Sequence, residues 1–448
     1  MNKRKTKKLI ILEKILRWMA VMVLKRHKPR IVAITGSVGK TMTKEAVGLL
    51  LSRYFSVRKN EMNYNNEVGV PLTIIGANSG EGSITRWLLV FLKWIGTMIN
   101  FKYPKILVLE MGSDNPGDIK YLCDFVPINV GIITSIGISH LEYFKTMQAV
   151  AGEKGILAKS VPVNGLAVLN YDNEEIRKLQ QNVKANIITY GFHEEANMQA
   201  TDVLYEYKNF TTMKGQPIQL VESLSFKLNC HGKIIPIKLS SGIGYPQIYS
   251  ALAALSVGHY FKLNLIEASQ TLKKFPQLAG RMTLLKGIKN TAIIDDTYNS
   301  VPDSVLAALE TLDKIKANRK IVVLGDMLEL GAKEEQAHRN IGIEVFSRDD
   351  IDFFITVGKR MVFAAEEYRR RAMKKDHSAG RIGCFNEPAE AGVFIQHILK
   401  EGDVVLVKGS QGMRMEKIVE EIMADPNEKD SLLVRQERTW KKKEYKTP

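Results

Sequence analysis

The chain has 448 residues, 45% hydrophobic and 25% charged, as is typical of a globular protein large enough for two or three domains. Cys123, Cys230 and Cys384 lie far apart, without pairing or metal-ligand spacing, which argues against a disulfide scaffold. The formal net charge of +16 is concentrated at the ends, because residues 1–30 carry eleven Lys or Arg and one Glu, and residues 435–448 carry six and two. The nearly neutral body argues against nucleic-acid binding.

The first predicted element is a basic amphipathic helix in residues 1–29, whose apolar part is residues 9–24. Glu13, Lys14 and Arg17 interrupt this stretch, so it is a poor membrane-spanning segment. A helix of this kind either lies on an anionic bilayer surface or packs on the protein body, and the sequence leaves both alternatives open. No small-residue cleavage site follows, so we expect a cytoplasmic protein, peripheral at the inner face of the membrane if the helix binds lipid.

The most informative segment, residues 31–41, joins a predicted strand to a predicted helix through a glycine-rich turn. Glycines at such a turn let backbone N–H groups approach phosphate oxygens, and the helix N-terminus adds partial positive charge. Lys40 would reach the β- and γ-phosphates, and the Thr41 hydroxyl would bind Mg²⁺. The residues of this predicted phosphate cradle are Thr35, Gly36, Ser37, Val38, Gly39, Lys40 and Thr41. Ile34-Thr35 stands where the common P-loop has its first glycine, which disfavours GTPases and ATP-driven motors.

A second apolar stretch covers residues 84–100, and Arg86 and Lys93 interrupt it. It is too short and too charged to span a membrane. We expect either a surface-seeking helix or a lid over the core.

Short apolar runs that end in polar loops alternate with helical patterns along the next part of the chain. Three of these runs lead to Glu110, to a loop that ends at His140, and to Asn170. Such runs are typical of parallel strands buried on both faces, and ligand groups collect beyond the carboxyl ends of such strands. Residues 200–240 instead alternate polar and apolar side chains, which predicts an antiparallel excursion.

A second α/β pattern begins after a predicted linker at residues 275–280. Its apolar runs are residues 292–294, 321–324, 353–357 and 404–407. We therefore predict an α/β protein with a central P-loop ATPase-like domain over residues 30–278, its sheet mostly parallel, and a smaller Rossmann-like α/β domain over residues 279–425. We expect residues 426–448 to extend as a charged tail or loose helix.

Several motifs follow one another along residues 30–425. They are the P-loop, residues 63–72, Glu110-Met111-Gly112, His140-Leu141-Glu142, Glu153-Lys154-Gly155, Gly280-Arg281-Met282, residues 295–299, residues 325–331 with His338, and Lys408-Gly409-Ser410. This ordered set resembles the Mur ligase family of peptidoglycan synthesis. The resemblance implies an ATP-dependent ligase, in which ATP phosphorylates a substrate carboxylate to an acyl phosphate and an incoming amine displaces the phosphate. Phosphoryl transfer mainly needs charge neutralisation around the γ-phosphate, which Lys40 and Mg²⁺ would supply.

By the same resemblance, Thr41 and Glu110 bind one Mg²⁺, and His140 helps to hold a second. Lys154 corresponds to a family lysine that CO₂ converts to a carbamate, which turns a cation into a metal-directed carboxylate. The resemblance thus implies ATP and Mg²⁺ as cofactors, with carbamylation of Lys154. The predicted catalytic residues are Lys40, His140, Lys154 and Arg281.

The second domain would close over ATP. By resemblance, Arg281 approaches the phosphates, and Asp295 or Asp296 lies near the ribose. The other predicted nucleotide-binding residues are Asn66, Gln247 and Tyr298. Relatives usually carry a His-Asn pair and a later Asn against adenine, whereas this chain has Gln247 and Ser250 there, so we expect the adenine packing to differ.

The resemblance implies a muropeptide-type acceptor and a D-Ala-D-Ala-like amine as partners of a monomer, with no nucleic acid. The residues expected to line the substrate pocket are Asn63, Asn65, His338, Lys408, Ser410 and Arg414. The family has a separate N-terminal domain that holds the UDP-sugar, whereas about 30 residues precede the P-loop strand here. We therefore expect the acceptor to be held otherwise, or to be lipid-linked or membrane-proximal.

Two alternatives remain open from the sequence. One is a related ligase with another substrate, such as a folylpolyglutamate-like acceptor or an amino-acid polymer; residues 326–331 and His338 favour the muropeptide reaction over it. The other is a non-catalytic nucleotide-binding scaffold at the membrane. The presence of Lys40, Glu110 and Lys154 together argues against it, because a scaffold does not need the whole set.

Overall fold

The computed structural model describes residues 7–61, 64–137, 141–211, 217–240, 243–374, 382–437 and 440. Within them, the strands form two sheets, one of nine strands and one of six. The strands of the first sheet are β1 (Arg30–Thr35), β2 (Val57–Lys59), β3 (Ile106–Glu110), β4 (Val130–Ile133), β5 (Leu166–Asn170), β6 (Asn186–Gly191), β7 (Met198–Thr211), β8 (Pro217–Cys230) and β9 (Lys233–Leu239). Asn63 and His140 lie outside the described residues.

The first sheet has the spatial order β2-β3-β1-β4-β5-β6-β7-β8-β9. Its neighbours pair in parallel from β2 to β7, and β7, β8 and β9 pair antiparallel. The helices that accompany it are α1 (Lys7–His27), α2 (Lys40–Ser52), α3 (Gly69–Ile75), α4 (Ile84–Ile99), α5 (Asp118–Cys123), α6 (Leu141–Phe144), α7 (Met147–Lys159), α8 (Glu174–Leu179), α9 (Tyr245–Tyr260) and α10 (Leu265–Leu272). The mostly parallel sheet and the antiparallel excursion are confirmed.

Helices cover both faces of the first sheet. In β1, Val32 and Ile34 pack into the core beneath α2 and α9, and the alternate residues Ile31 and Ala33 pack into the core beneath α1 and α3. All four side chains are buried. This burial explains why β1 is continuously apolar, since a strand covered on both faces has no solvent side.

The second sheet has the strands β10 (Thr283–Gly287), β11 (Thr291–Asp296), β12 (Arg319–Gly325), β13 (Ile351–Val357), β14 (Ile382–Phe385) and β15 (Asp403–Lys408). Their order is β10-β11-β15-β12-β13-β14, with only the β10–β11 pair antiparallel among the described residues. The helices of this part are α11 (Pro302–Asp313), α12 (Glu334–Phe346), α13 (Met361–Lys374), α14 (Pro388–Ile398), α15 (Glu416–Ile422) and α16 (Lys429–Leu432). A second α/β unit of alternating strands and helices is confirmed.

Helix α1 packs on the protein body through one side only. Leu16, Ala20 and Val23 are buried, whereas Ile15 and Trp18 on the other side are about half exposed, at 49% and 54%. The sequence left lipid binding and packing open, and the structure shows the packing. No helix in the described ranges has the length and apolar character that crossing a membrane requires.

Helix α4 packs on the protein through one narrow side and leaves most of its residues open to solvent. Of its sixteen residues only Val90 and Thr97 are buried. Ser83 caps its N-terminus by accepting a hydrogen bond from the Arg86 N–H. This exposure is what a surface-seeking helix requires, and the binding of a surface stays a prediction.

The end of the described chain differs from the expected loose tail. Leu433 and Arg435 are buried at 4% and 6% exposure, and α16 lies just before them. Charge alone predicted a solvated tail, but Leu433 packs into the core beneath the second sheet. Arg435 is fully hydrogen-bonded there, as described below.

Candidate active site

The P-loop follows β1 and is held against the end of β4. Gly39, with φ of 87°, lies in the left-handed region and precedes the first residue of α2, so a glycine suits this position. The Thr134 hydroxyl donates to the Val38 carbonyl at 2.6 Å, and the Val38 N–H donates to the Ser135 hydroxyl at 2.8 Å. A Cβ on Gly36 would meet the Thr134 hydroxyl at 2.0 Å, so this close approach requires glycine.

Lys40 is the first residue of α2. Its ammonium donates to the Gly36 carbonyl at 2.6 Å and to the Ser37 carbonyl at 3.3 Å. Burial lowers the pKa of Lys40, and the Arg281 guanidinium lowers it further, while Glu110 opposes the shift. The loop therefore concentrates positive charge in a desolvated place, which favours an anionic ligand.

Glu110 ends β3 and is fixed by two asparagines. The Asn60 amide pairs with the Glu110 backbone, accepting from its N–H at 2.8 Å and donating to its carbonyl at 2.9 Å. The Asn65 amide donates to the Glu110 carboxylate at 3.2 Å. The side-chain oxygen of Asn66 accepts hydrogen bonds from the backbone N–H groups of Val68 and Gly69 at the start of α3.

Lys154 lies on α7 and is 2% exposed. Its ammonium donates to the Ser113 hydroxyl at 3.2 Å, in the loop after β3. Burial is the main cause that lowers its pKa to about 7, and the positive charge of Lys40 adds to the shift. At neutral pH a large fraction of Lys154 is therefore the neutral amine. Lys40, Thr41, Glu110 and Lys154 are called the first-sheet site below.

Arg281 reaches from the second part of the chain to the P-loop. Its guanidinium donates to the Thr41 hydroxyl at 3.1 Å and lies 3.9 Å from the centre of the Tyr298 ring. Its backbone carbonyl accepts from the Gln247 amide at 3.3 Å, and the same Gln247 side chain accepts from the Gly244 N–H. The structure thus brings Thr41, Gln247, Arg281 and Tyr298 together, although they are distant in the sequence.

The two aspartates at the end of β11 have different surroundings. Asp295 is fully buried and accepts through one oxygen from the Thr297 N–H and hydroxyl. Its other oxygen lacks a hydrogen-bond partner in the described part of the chain, and burial raises its pKa to about 6. Asp296 forms an ion pair with Lys408 at 2.5 Å, and its other oxygen accepts from the Met282 N–H. The ammonium of Lys408 also donates to the Asn299 carbonyl.

Three residues predicted to line the substrate pocket, His338, Ser410 and Arg414, bond to other residues of the protein. His338 is fully buried, with Nε2 accepting from the Met327 N–H and Nδ1 2.7 Å from the Glu334 carbonyl oxygen. The Ser410 hydroxyl bonds to the Leu328 N–H, and Arg414 forms an ion pair with Glu416. Their role towards a substrate stays a prediction.

His338 also lies close to Asp326, which is the first residue after β12. Asp326 accepts from the backbone N–H groups of Arg360 and Met361, while its second oxygen lacks a hydrogen-bond partner among the described residues. Burial raises the pKa of Asp326, and burial also lowers the pKa of His338. The residues Asp295, Asp296, Asp326 and Lys408 are called the second-sheet site below.

Sequence reasoning missed four residues that shape these sites. Asn60, Ser113 and Thr134 hold Glu110, Lys154 and the P-loop, as described above. The fourth, Arg435, donates to the Thr297 carbonyl at 2.5 Å and to the Tyr298 carbonyl at 3.1 Å, and it forms an ion pair with Glu416. The first three lie within three residues of the end of a strand, which would have been a usable signal, whereas Arg435 lies in a segment that looked like a charged tail.

The oxygen donors fit a magnesium–phosphate site better than a closed metal cage. Among the described residues there is no group of three or more His, Cys, Asp or Glu side chains placed to hold a metal ion. Mg²⁺ at nucleotide sites is typically held by one or two carboxylates or hydroxyls together with substrate phosphates. The Thr41 hydroxyl and the Glu110 carboxylate are donors of this kind, and Glu110 is close enough to act on Lys40, the neighbour of Thr41. Their binding of Mg²⁺ stays a prediction.

Two family models match the chain. The Mur ligase middle domain matches residues 34–258, and the Mur ligase, glutamate ligase domain matches residues 280–411. The UDP-N-acetylmuramoyl-tripeptide–D-alanyl-D-alanine ligase of Bacillus subtilis (strain 168) is 30% identical over 416 residues, which are 92% of this chain and 79% of that protein. The protein of the same name from Rickettsia prowazekii (strain Madrid E) is 25% identical over 409 residues, 90% of this chain and 80% of that protein.

Solved structures show the same likeness. The MurF ligase from Thermotoga maritima in complex with ADP has a TM-score of 0.74 and 25% identity, covering 91% of this chain and 83% of that chain. Folylpolyglutamate synthase from Mycobacterium tuberculosis, with a TM-score of 0.60, 14% identity and coverage of 92% and 97%, shares the fold. The resemblance drawn from the motifs is confirmed, and the chain belongs to the Mur ligase family.

Proposed function

We propose that the chain is an ATP-dependent ligase that joins the carboxylate of a muropeptide-type acceptor to D-alanyl-D-alanine in peptidoglycan synthesis. The relatives from Bacillus subtilis and Rickettsia prowazekii carry the name of this reaction. The observation that carries the proposal is the contact between Arg281 and the Thr41 hydroxyl, beside Lys40. This contact joins the P-loop to the second part of the chain where the phosphates of ATP would lie.

The nucleotide would lie between the two sheets. The Lys40 ammonium compensates the charge on the β- and γ-phosphate oxygens, and Arg281 approaches the same oxygens from the other side. Asp295 lies at the end of β11 and Tyr298 on the loop that follows, and both would lie on the ribose side. The Gln247 amide donates to the Arg281 carbonyl and so helps to position the arginine. In the proposed site Gln247 would also lie near the adenine ring.

Mg²⁺ would be held by the Thr41 hydroxyl and the Glu110 carboxylate, with His140 as a ligand of a second ion, and it supplies positive charge to the transferring phosphoryl group. Asn65 orients the Glu110 carboxylate through its amide. Removing divalent ions with EDTA is expected to stop phosphate release, and adding Mg²⁺ is expected to restore it. Phosphate release that continues in EDTA would contradict this role of Glu110.

Lys154 is proposed to carry a carbamate. Its neutral amine attacks CO₂ and loses one proton, which leaves a carboxylate on the side chain. The pKa of about 7 supports this step, because only the neutral amine is a nucleophile. A ¹³C NMR carbamate signal after incubation with ¹³C-bicarbonate, present in the wild type and lost in Lys154→Met, tests it; an unchanged signal in the variant would refute it.

The reaction follows from these roles. The acceptor carboxylate attacks the γ-phosphorus and ADP leaves; the amine of D-alanyl-D-alanine then attacks the acyl carbon, loses a proton, and phosphate leaves. Asn65, which donates to the Glu110 carboxylate, would lie on the acceptor side, and Asn66 at the start of α3 would lie between it and the γ-phosphate. The loops that carry His338, Ser410 and Arg414 would form the side for the incoming dipeptide.

The experiment measures phosphate release from ATP with a muropeptide acceptor, with and without D-alanyl-D-alanine, and follows the product by mass spectrometry. We expect phosphate and peptide product in equal amounts, only when both substrates are present. Product formed with another amine would favour the alternative ligase. Phosphate release that ignores every amine, or no release at all, would contradict the proposed reaction.

Two further partner properties belong to the proposal. The ligase would act as a monomer, because Thr41 and Arg281 of the same chain meet in one site. It would stand at the inner face of the membrane, since the exposed side of α1 carries Lys7, Lys14 and Lys25. Light scattering of the purified chain tests the monomeric state, and a dimer whose dissociation abolishes turnover would contradict it. Vesicle binding tests the position at the membrane.

A further inference from the structure

Helix α4 exposes a large apolar face to solvent. Leu88, Leu89 and Leu92 are 58%, 64% and 53% exposed, and Phe91 is 44% exposed. Soluble monomers rarely leave such side chains together on one helix, because each exposed apolar group costs solvation free energy. The face therefore requires a partner of apolar character.

Helix α1 extends the same face. The rings of Trp18 and Trp94 lie 5.3 Å apart, and Phe91 lies 5.5 Å from Trp94, so aromatic side chains fill the seam between the two helices. The Trp94 indole donates to the Met19 carbonyl at 3.1 Å, which fixes the seam. We call the outward side chains Ile11, Ile15 and Trp18 of α1 and Leu88, Phe91 and Leu92 of α4 the two-helix face.

The charges around the two-helix face match an anionic surface. Lys7, Lys8, Lys14 and Lys25 are exposed on α1, whereas its one acidic residue in the described range, Glu13, is buried at 8% exposure. Long lysine side chains can lie along apolar neighbours while their ammonium groups reach lipid phosphates. Apolar side chains framed by lysines, with tryptophans between them, are the composition of helices that lie in a bilayer interface.

We propose that the two-helix face inserts into the boundary between headgroups and acyl chains of an anionic bilayer, with both helices lying in the plane of the membrane. This deepens the membrane position under the proposed function, on which it rests, since α4 becomes half of the contact and the contact becomes apolar as well as electrostatic. A protein partner would have to match this dense set of lysines, whereas an anionic bilayer supplies negative charge next to apolar chains everywhere.

Helix α3 connects the two-helix face to the first-sheet site. Leu72 and Ile75 of α3 pack in one cluster with Leu16, Met19 and Val90 of α1 and α4. The N-terminus of α3 is in turn capped by Asn66, next to the Asn65 that bonds to Glu110. A membrane-bound face would thus hold the acceptor side of the site close to the bilayer, where a membrane-anchored acceptor is concentrated.

The test is co-sedimentation of the full chain with vesicles of phosphatidylcholine alone or with about 30% phosphatidylglycerol, without nucleotide. We expect binding to the anionic vesicles only, with a blue shift of tryptophan emission as Trp18 enters the interface. Raising the salt should weaken the binding without abolishing it, because apolar insertion is not screened. Absence of binding to anionic vesicles would overturn the proposal.

The key variant is Trp18→Ser with Leu92→Ser, and its matched control is Leu204→Ser with Ile266→Ser. The control changes two apolar side chains that are 64% and 59% exposed, on β7 and α10. We expect the key variant to bind anionic vesicles at least about tenfold more weakly, and the control to bind like the wild type. Equal loss in both, or no loss in the key variant, would overturn insertion through this face.

Three further measurements separate loss of lipid binding from misfolding, dimer formation and loss of the ligase reaction. An unchanged melting temperature shows that the key variant is folded; if it is not, Leu88→Ser with Phe91→Ser replaces it. A dimer seen by light scattering in the wild type and lost in the key variant would overturn the proposal, because a second copy would then cover the face. Unchanged phosphate release with soluble substrates separates loss of lipid binding from failure of the ligase reaction.

Discussion

The first-sheet and second-sheet sites both contain buried charges, but the protein holds these charges differently. Lys40 donates to loop carbonyls and Lys154 donates to a serine hydroxyl, and burial lowers the pKa of both. In the second-sheet site, Lys408 is 1% exposed and pairs with Asp296 at 2.5 Å. A lysine that is shielded from water and has no ion-pair partner gains most from an anionic ligand, whereas removing the lysine of a buried ion pair leaves its partner's charge uncompensated and destabilises the fold.

This contrast separates charges that would bind a ligand from charges that stabilise the fold. Removal of a first-sheet charge should affect turnover and leave the fold intact. Removal of a second-sheet partner should affect the fold first, because it leaves an opposite charge buried alone. The following predictions test this contrast.

The largest effect is expected from Lys40→Met. The change removes the ammonium that is proposed to face the γ-phosphate, so kcat for phosphate release should fall about a thousandfold. The melting temperature should not fall, because the lost charge is one that burial already disfavours. Lys59→Met is the control, with a side chain 43% exposed. A folded Lys40→Met enzyme with normal turnover would remove Lys40 from the site.

Lys408→Met is expected to act on stability. It leaves the Asp296 carboxylate without its ion-pair partner in a largely buried place, so the free energy of unfolding should fall by about 3 kcal/mol. Urea denaturation measures this change. Adding Asp296→Asn should restore part of the loss, since it removes the unpaired charge. If Lys408→Met is as stable as the wild type, the contrast between the two sites is wrong.

Arg435→Ala is expected to loosen the loop that carries Tyr298. The change removes donors to the carbonyls of Thr297 and Tyr298, so unfolding should become easier by about 2 kcal/mol. The KM for ATP should rise more than kcat falls, because Tyr298 stacks on Arg281, and Arg435→Lys should recover part of both.

Arg370→Ala is the control for Arg435, because Arg370 is 54% exposed and its partner Glu367 keeps a second ion pair with Arg371. A loss of stability in Arg435→Ala without any change in the KM for ATP would show that Arg435 only supports the fold. Equal changes in both variants would contradict its positioning role altogether.

The smallest expected effect concerns Asp295 and pH. Its pKa of about 6 in the folded chain lies above the ordinary value of 3.8, so the folded state binds a proton more tightly than the unfolded state. This contribution to stability is complete below about pH 4 and is lost as the pH rises through about 6. Asp295→Asn should remove this pH dependence, worth about 2 kcal/mol, in thermal unfolding from pH 4 to 7.

A wild-type chain whose stability rises over the same pH range, with Asp295→Asn rising in parallel, would show that other groups dominate. A difference between the two proteins that is equal at pH 4 and pH 7 would show that the carboxylate does not titrate in this window.

Much of the fold could be predicted because its signals are local. The apolar run before Gly36, the glycine turn and Lys40 predict strand, loop and helix from neighbouring residues, and the structure confirms β1 and α2. The antiparallel β8 and β9 likewise follow from alternation of side chains over a few residues. The segment around α4 remained ambiguous, because its apolar periodicity is the same whether the helix is buried or exposed.

The motifs alone identified the family, and local patterns predicted most of the alternating strands and helices and the residue types that a phosphate site needs. Only the tertiary structure decided which buried charges are paired, that Arg281 meets Thr41, and that α1 and α4 join into one face. Arg435 and Thr297, for example, are 138 positions apart. The physical reason is that periodicity and turn chemistry act between near neighbours, whereas pairing and exposure depend on residues that only the fold brings together.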